Sequence, residues 1–436
     1  MLSLGDALAW LDSHQNMERM LADSRRVAPD LGRMRALVDV LGHPEASAPA
    51  IHVTGTNGKT STARCVTSLL TSKGLRVGTF TSPHLEAINE RIAADGEPIS
   101  DNDLAEVLSE LASIEPLLGD GVRLTWFEIL TGAALLWFAD RPVDVAVFEV
   151  GLGGRWDATN VVDADVAVVT NVGLDHVEFL GPTHADVAGE KAGIVKPGST
   201  LVLGERDSEL RPIFERERPE AVWLAGRDYG CVRNQLAVGG RSLDLRTPGT
   251  TYEGVWLDLH GSHQGENFAA ALAAAEALFG EPLDDNLVRE AAALVRSPGR
   301  LEIVGREPLV VLDGAKNLEG ALASAAAVAE EFGAVRSEIL VVGMLEGKDP
   351  AQMLEALGAR RARLVVACPA PSPRTQSATV VADAARLLGV DAQATDSVEE
   401  ALEVAFAEAA PDDLVLVTGS LYVVGAARAA LAVKRA

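Results

Sequence analysis

The segment Gly55-Thr56-Asn57-Gly58-Lys59-Thr60 constrains the fold of this chain most, because it joins two apolar segments of different period. Residues Ala50–Thr54 before it predict a short buried strand, and Thr62–Ser72 after it predict a helix. Glycines allow backbone N–H groups to close around phosphate oxygens, and the N-terminus of the helix adds its positive end. Lys59 is then expected to reach the β- and γ-phosphates of a nucleotide, and the Thr60 hydroxyl to hold Mg²⁺.

This predicted phosphate loop departs from the usual pattern at one position. The common eight-residue form begins with glycine, and Val53 stands there in this chain. A glycine-rich turn between a strand and a helix, with no role in binding nucleotide, is the alternative interpretation. The Gly-Lys-Thr sequence at a strand–helix junction favours the phosphate loop.

The same alternation of strand and helix continues through the first part of the chain. Four more apolar runs predict strands at Arg76–Thr81, Val143–Val150, Ala164–Thr170 and Ser199–Leu203, and Trp126–Ala139 predicts an apolar helix. Strands that are apolar on both faces are typical of a parallel sheet covered by helices. Residues 232–259 have a different texture, rich in Gly, Arg and Thr, and predict β-hairpins.

Ser297-Pro298-Gly299 interrupts the pattern and is the best candidate for a linker. A second series of strands follows it, at Leu309–Leu312, Glu338–Val342, Arg363–Cys368 and Leu414–Thr418. A chain of 436 residues is too long for one hydrophobic core. The predicted fold class is therefore α/β: a P-loop parallel-sheet ATPase domain over residues 1–296, then a smaller Rossmann-like α/β domain over residues 297–436.

Composition excludes several classes of function. The net charge is −25, from 38 basic and 63 acidic residues, which argues against a nucleic-acid partner but allows anionic small molecules. Three widely spaced cysteines, an odd number, argue against a disulfide framework or a zinc site. The first residues lack the apolar core of a signal peptide, and no apolar run is long enough to cross a membrane. We expect a cytoplasmic protein, a monomer, with no membrane partner.

Polar residues follow the predicted strands of the first domain. They are Ser82, Glu149, Asp175 and His176. Because ligands bind at the carboxyl ends of parallel strands, these side chains are expected to converge near the phosphate loop. Oxygen ligands with one imidazole suit Mg²⁺ or Mn²⁺. A capping or surface carboxylate for Glu149, and a structural role for His176, remain the alternatives.

Segments in every part of the chain resemble the folylpolyglutamate synthase/dihydrofolate synthase branch of the Mur ligase superfamily. They are His52–Thr60, Thr81–Leu85, Glu149–Asn160, Thr170–Leu180, Glu190–Ile194, His263-Gln264 with Asn267, Ser297–Glu302 and Thr418–Leu421. Each is weak alone, but they occur in the order that the family has. The glycine-rich segment Gly151–Asn160, together with Ser82-Pro83-His84-Leu85, is typical of the folate branch.

The resemblance implies a role for individual residues. Gly55, Thr56, Asn57, Gly58, Lys59 and Thr60 would bind the phosphates of ATP. Asn267, Arg300 and Asp313 would bind the nucleotide, with Arg300 on phosphate and Asp313 on ribose from the second domain. Thr60, Ser82 and Glu149 would hold a first Mg²⁺ and His176 a second. Lys59, His176 and Lys191 would be catalytic.

Lys191 resembles the family lysine whose carbamate serves the metal site. From its sequence alone, the Glu190-Lys191 pair would be an ordinary pair on a solvated helix face. One departure from the family concerns Lys316, which replaces the histidine usual after Asp-Gly-Ala. Lys316 could contact a phosphate or a substrate carboxylate, or lie in solvent.

The resemblance implies an ATP-dependent amide ligase that adds L-glutamate to folates, to dihydropteroate or to both, through an acyl phosphate. One alternative is a Mur-type ligase for another carboxylate, recognised by which acid triggers ATP hydrolysis. The other is a P-loop regulatory protein, which would have no need of Glu149, His176, Lys191 and Arg300. Which pterin acid is used, how glutamates are linked, and where glutamate binds stay open.

Overall fold

The structure is a computed structural model of the chain, and it describes residues 1–20, 30–119 and 121–433. Two compact units divide it. The first comprises Met1–Ala237, Ser242–Asp258 and Gln264–Arg296, and the second Val238–Arg241, Leu259–His263 and Ser297–Ala436. The domain limits of 1–296 and 297–436 stay a prediction, and two short segments before residue 297 group with the second unit.

The first unit is built on an eight-stranded sheet. Its strands are β1 (Ala50–Thr54), β2 (Val77–Phe80), β3 (Ile92–Ala94), β4 (Glu97–Pro98), β5 (Val145–Glu149), β6 (Val166–Val169), β7 (Thr200–Leu203) and β8 (Ala221–Leu224). Their order is β4-β3-β2-β5-β1-β6-β7-β8. The six strands from β2 to β8 in this order are parallel, while β3 and β4 add an antiparallel edge. The predicted parallel sheet is confirmed, and β1 lies inside it.

Helices cover this sheet. They are α1 (Leu4–Asp12), α2 (Gly32–Leu41), α3 (Lys59–Ser72), α4 (Asp101–Ile114), α5 (Trp126–Asp140), α6 (Val177–Leu180), α7 (His184–Ala192), α8 (Arg211–Glu215), α9 (His263–Phe279) and α10 (Asp285–Leu294). Helix α3 begins at Lys59, three residues before the predicted start at Thr62. Gly58 adopts a left-handed conformation (φ 83°) at its N-cap, so the helix follows the loop directly.

The predicted hairpin region forms a separate three-stranded sheet. Its strands are β9 (Gly230–Ala237), β10 (Gly240–Arg246) and β11 (Thr251–Leu257), in the order β11-β10-β9. Buried and less buried residues alternate along β10, as expected for a sheet with one covered face.

The second unit contains a six-stranded sheet, in the order β12-β13-β17-β14-β15-β16. Its strands are β12 (Glu302–Arg306), β13 (Leu309–Leu312), β14 (Glu338–Val342), β15 (Leu364–Ala367), β16 (Ala392–Ala394) and β17 (Leu414–Thr418). Its helices are α11 (Leu318–Glu331), α12 (Pro350–Ala356), α13 (Ala378–Leu387), α14 (Val398–Glu408) and α15 (Leu421–Val433). Only β12 is antiparallel to its neighbour. The predicted α/β second domain is confirmed, although the less buried edge strands β12 and β16 were not predicted.

Short 3₁₀ turns occur at Pro44–Ala46, Ile88–Arg91, Glu115–Leu118, Ala158–Val161 and Ala359–Arg361. Within the described part of the chain, no helix combines the length and the apolar character needed to cross a bilayer.

Candidate active site

The predicted phosphate loop lies between β1 and α3, and two of its glycines are sterically required. A Cβ on Gly55 would lie 1.8 Å from the Thr170 hydroxyl oxygen, and one on Gly58 would lie 2.4 Å from Asn267 Oδ1. Both glycines also have positive φ angles. The structure therefore places Asn267, predicted as a nucleotide contact, directly beside the loop.

Residues that follow β6 hold the loop in shape. Asn171 Oδ1 accepts the N–H groups of Thr56 (3.2 Å) and Asn57 (2.9 Å), and its Nδ2 donates to Asn57 O (3.1 Å). Thr170 Oγ1 donates to the same carbonyl at 2.6 Å. Sequence reasoning assigned no role to Thr170 or Asn171. Their position at the end of an apolar strand was the available signal.

The Lys59 ammonium folds over the loop. Its Nζ donates to the carbonyl oxygens of Gly55 (2.9 Å) and Thr56 (3.4 Å). A lysine beside loop amides and a helix N-terminus makes a region of positive potential suited to phosphate oxygens.

Glu149, the last residue of β5, brings two other predicted ligands together. It is only 1% exposed. Its Oε1 accepts the Thr60 hydroxyl at 2.8 Å, and its Oε2 accepts the backbone N–H of Ser82 at 3.0 Å. Glu149 is therefore neither a surface carboxylate nor a helix cap, and Thr60, Ser82 and Glu149 form one cluster at the carboxyl edge of the sheet.

The oxygen donors of this cluster fit Mg²⁺. A hard cation of this size takes one or two carboxylates and completes its shell with water and substrate phosphate oxygens. Across the residues that the structure describes, no three His, Cys, Asp or Glu side chains converge in a way that could hold a metal by themselves. A cation at this cluster would therefore take its remaining ligands from water and from the phosphates of the nucleotide.

Lys191 is buried, with 2% of its surface exposed, and is not on a solvated face. The pKa of Lys191 is lowered to about 7, first by burial and then by the nearby Lys59 ammonium, while the Asp175 carboxylate acts in the opposite direction. An amine with this pKa is substantially neutral near pH 7. Lys191 is thus a lysine that can act as a nucleophile at neutral pH.

The backbone around Lys191 is closely packed. The N-terminal part of the glycine-rich segment lies against the end of α7: Arg155 N donates to Glu190 O at 2.8 Å, and a Cβ on Gly154 would lie 2.7 Å from that same oxygen. Asn160 Nδ2 donates to Gly193 O at 3.0 Å. Two of the segments that resemble the family, Glu149–Asn160 and Glu190–Ile194, are therefore in contact.

His176 has a left-handed backbone conformation (φ 53°) and precedes α6. Its Nε2 lies 3.8 Å from Asp175 Oδ2, and its side chain is 35% exposed. The Asp175 carboxylate is thus adjacent to His176. It is also close enough to Lys191 to offset part of the lowering of the lysine pKa. The structure places His176 next to a buried carboxylate, and its role as a metal ligand stays a prediction.

In the second unit, Arg300 and Asp313 lie together at the end of β13. Asp313 is 7% exposed, and its Oδ1 accepts the Leu301 N–H at 3.3 Å. A Cβ on Gly314 would lie 2.3 Å from Arg300 Nη1. Lys316 is exposed. The nucleotide contacts of Asn267, Arg300 and Asp313 stay predictions.

A parallel sheet whose inner strand runs through a Gly-x-x-Gly-Lys-Thr loop into a helix defines a P-loop nucleotide-binding protein. Residues 53–275 match the Mur ligase middle domain, and residues 299–421 match the Mur ligase, glutamate ligase domain. The chain belongs to the Mur ligase family, in its folylpolyglutamate synthase/dihydrofolate synthase branch.

The similarity to known relatives extends over nearly the whole chain. The dihydrofolate synthase/folylpolyglutamate synthase of Mycobacterium tuberculosis is 40% identical over 92% of this chain and 90% of its own length. The Bacillus subtilis protein of the same name is 36% identical over 91% and 93%. The M. tuberculosis folylpolyglutamate synthase complexed with ADP and AMPPCP superposes with a TM-score of 0.90 at 38% identity, covering 98% of each chain. Escherichia coli FolC in complex with DHPP and ADP has a TM-score of 0.86 at 31% identity, over 100% of this chain and 99% of its own.

Proposed function

We propose that this chain is an ATP-dependent ligase that adds L-glutamate to dihydropteroate, to folates or to both. Membership of the folate branch supports this activity. The observation that carries it is the Glu149 cluster, in which Thr60 and Ser82 meet one buried carboxylate beside the phosphate loop. The cluster would provide a cation site beside the γ-phosphate that is transferred, and membership of the folate branch supports a ligase over other P-loop proteins.

The reaction has two steps. A carboxylate oxygen of the pterin acid attacks the γ-phosphorus of ATP, ADP leaves, and an acyl phosphate forms. The glutamate nitrogen then attacks the acyl carbon, loses a proton, and displaces phosphate to leave an amide. Both steps concentrate negative charge, which Lys59 and the loop amides would offset without having to move far.

Thr60, Ser82 and Glu149 would hold the first Mg²⁺, or Mn²⁺ in its place, and His176 a second ion. A cation there supplies charge neutralisation and orients phosphate oxygens. Glu149 orients the cluster, because its two oxygens hold the Thr60 side chain and the Ser82 backbone at the same time. The Lys191 carbamate would add a negative head to this region.

The remaining parts of the proposal concern the nucleotide and the state of the protein. Asn267 beside Gly58 supports a contact with the nucleotide, and Arg300 and Asp313 are proposed to contact phosphate and ribose. The substrates are ATP, L-glutamate and a pterin or folate acid. We propose a cytoplasmic monomer.

The test is ATP-dependent incorporation of labelled L-glutamate into dihydropteroate and into tetrahydrofolate, assayed separately. Incorporation into either acid is expected, with one ADP released per amide formed. If neither acid is used and another carboxylic acid triggers ATP hydrolysis, the chain is a Mur-type ligase for a different substrate. If no pair of acid and amine supports turnover, the ligase function is wrong.

Replacing Glu149 by glutamine should weaken the use of Mg²⁺. The change removes a charge but keeps the shape, because the Thr60 hydroxyl can turn to accept a hydrogen bond from the new amide while Ser82 N–H still donates to its oxygen. We expect the Mg²⁺ concentration for half-maximal ligation to rise about tenfold to a hundredfold.

A magnesium titration of glutamate incorporation measures this effect. Glu97→Gln is the matched control, because Glu97 is exposed in edge strand β4. An Mg²⁺ titration of Glu149→Gln that overlays the parent curve would exclude Glu149 as a metal ligand.

A further inference from the structure

The loop that follows β2 is held rigidly by one carboxylate. Glu90 accepts three successive backbone N–H groups, from Leu85 (2.8 Å), Glu86 (2.9 Å) and Ala87 (2.8 Å). At its other end the loop is anchored through Ser82 N–H on Glu149. His84 lies between these two anchors, so its backbone has little freedom.

A fully buried guanidinium contacts the His84 ring. Arg91 is 0% exposed, and its Nε donates to His84 Nδ1 at 2.8 Å. Its Nη1 and Nη2 donate to the two carboxylate oxygens of Glu18 at 2.9 and 2.6 Å. The guanidinium also lies over the Trp126 ring, 4.7 Å from its centroid. These contacts fix the plane of the Arg91 guanidinium and the direction in which its Nε–H points, which is toward His84.

This contact decides which nitrogen of the ring carries the proton. A guanidinium only donates hydrogen bonds, so His84 Nδ1 must accept, and the neutral ring carries its proton on Nε2. Across residues 1–20, 30–119 and 121–433, the bond from Arg91 is the one hydrogen bond that the His84 ring makes. The ring is half-buried, and Nε2 lies on a different edge from Nδ1. His84 therefore presents an N–H donor, directed away from Arg91, two residues from Ser82.

We propose that this Nε2–H donates to an acceptor atom, a carbonyl oxygen or a ring nitrogen, of the acid substrate, and that Arg91 and Glu18 are positioning residues that set the tautomer. The proposal rests on the proposed ligase function. Stability alone explains the arrangement poorly, because a buried ion pair is often no more stabilising than apolar side chains of the same volume. The specific effect of the Arg91–Glu18 pair is to leave the His84 Nε2–H as a hydrogen-bond donor of defined direction at the rim of the sheet.

Steady-state kinetics can distinguish a role of His84 in binding the acid substrate from a purely structural role. In His84→Phe, which keeps a planar ring and loses the donor, the KM for the pterin acid should rise about tenfold, the equivalent of one hydrogen bond. The KM values for ATP and glutamate should stay close to those of the parent. His84→Gln, which can accept from Arg91 and still donate, should recover part of the loss. His184→Phe, an exposed site at the start of α7, is the matched control.

A spectroscopic measurement covers the case in which His84→Phe does not fold. Nitrogen NMR of histidine-labelled parent protein, with the His84 signal assigned from His84→Gln, should show the Nε2–H tautomer, and Arg91→Met should lose that preference. A proton on Nδ1 in the parent overturns the proposal, as does an unchanged acid KM in folded, active His84→Phe. Failure of the parent to ligate either acid would instead contradict the ligase function, and this proposal with it.

Discussion

Lys59→Ala should reduce ligation about a thousandfold while the protein stays folded. The Lys59 ammonium lies over the phosphate loop, where its Nζ contacts the carbonyl oxygens of Gly55 and Thr56. Alanine removes the one side-chain cation of the loop just where charge builds up during phosphoryl transfer. Alanine has a high helix propensity and replaces the first residue of α3, so the loss of folding stability should be small.

The measurement is the initial rate of labelled glutamate incorporation at saturating ATP, together with thermal unfolding of both proteins. Lys73→Ala is a suitable control, because Lys73 is exposed just beyond the other end of α3. Activity near that of the parent in a folded Lys59→Ala protein would show that the segment is not a catalytic phosphate loop.

Lys191→Ala should abolish most activity, and a short carboxylic acid in the buffer should restore part of it. The prediction depends on the carbamate that the resemblance implies. A carbamate forms when a neutral amine attacks CO₂ and loses a proton, which converts a positive head into a negative one. An unmodified ammonium would repel Mg²⁺, whereas a carbamate would attract it.

The pKa of Lys191 makes the modification chemically accessible. With a pKa of about 7, roughly half of these amines are neutral at pH 7, against about one in three thousand for a lysine with its ordinary value. Below pH 7 most of the Lys191 amines are protonated, and a protonated amine cannot react with CO₂. Reactivation of CO₂-depleted enzyme, at constant dissolved CO₂, should therefore accelerate as pH rises through about 7, whereas an ordinary lysine would respond near pH 10.

Mass spectrometry under conditions that preserve the adduct should find one added CO₂ on the peptide containing Lys191. Lys73→Ala serves as the control, because Lys73 is exposed just beyond the end of α3. An unmodified Lys191 in active, metal-loaded enzyme would refute the carbamate, and so would full activity of Lys191→Ala.

Much of the candidate site could be inferred from residues close together in the chain. The phosphate loop needs only a strand, two glycines, a lysine and a helix in succession. Placing Ser82 and Glu149 at one edge needed a single rule, that parallel strands end on the same side. The structure brings Thr60, Ser82 and Glu149 together as that rule expects.

Contacts between segments that are far apart in the chain could not be predicted from the sequence in this way. Asn171 supports a loop 114 positions earlier, and Glu18 fixes Arg91 from 73 positions away. A hydrogen bond of this kind leaves no periodic signal, because each partner is an ordinary polar residue in its own segment. The need for glycine at position 58, just before α3, is likewise a contact between distant segments, since a Cβ there would lie 2.4 Å from Asn267 Oδ1.

The sequence by itself determined the α/β class, the phosphate loop and the resemblance to a ligase branch, because strand and helix periods and short motifs are local properties. Only the tertiary structure decided which polar side chains are buried. Lys191 is the clearest case: its segment has the pattern of a solvated helix, yet the packing of Arg155 and Asn160 against the end of α7 accompanies its burial and a pKa of about 7. Burial sets the cost of a charge, and burial is a property of the whole packed chain.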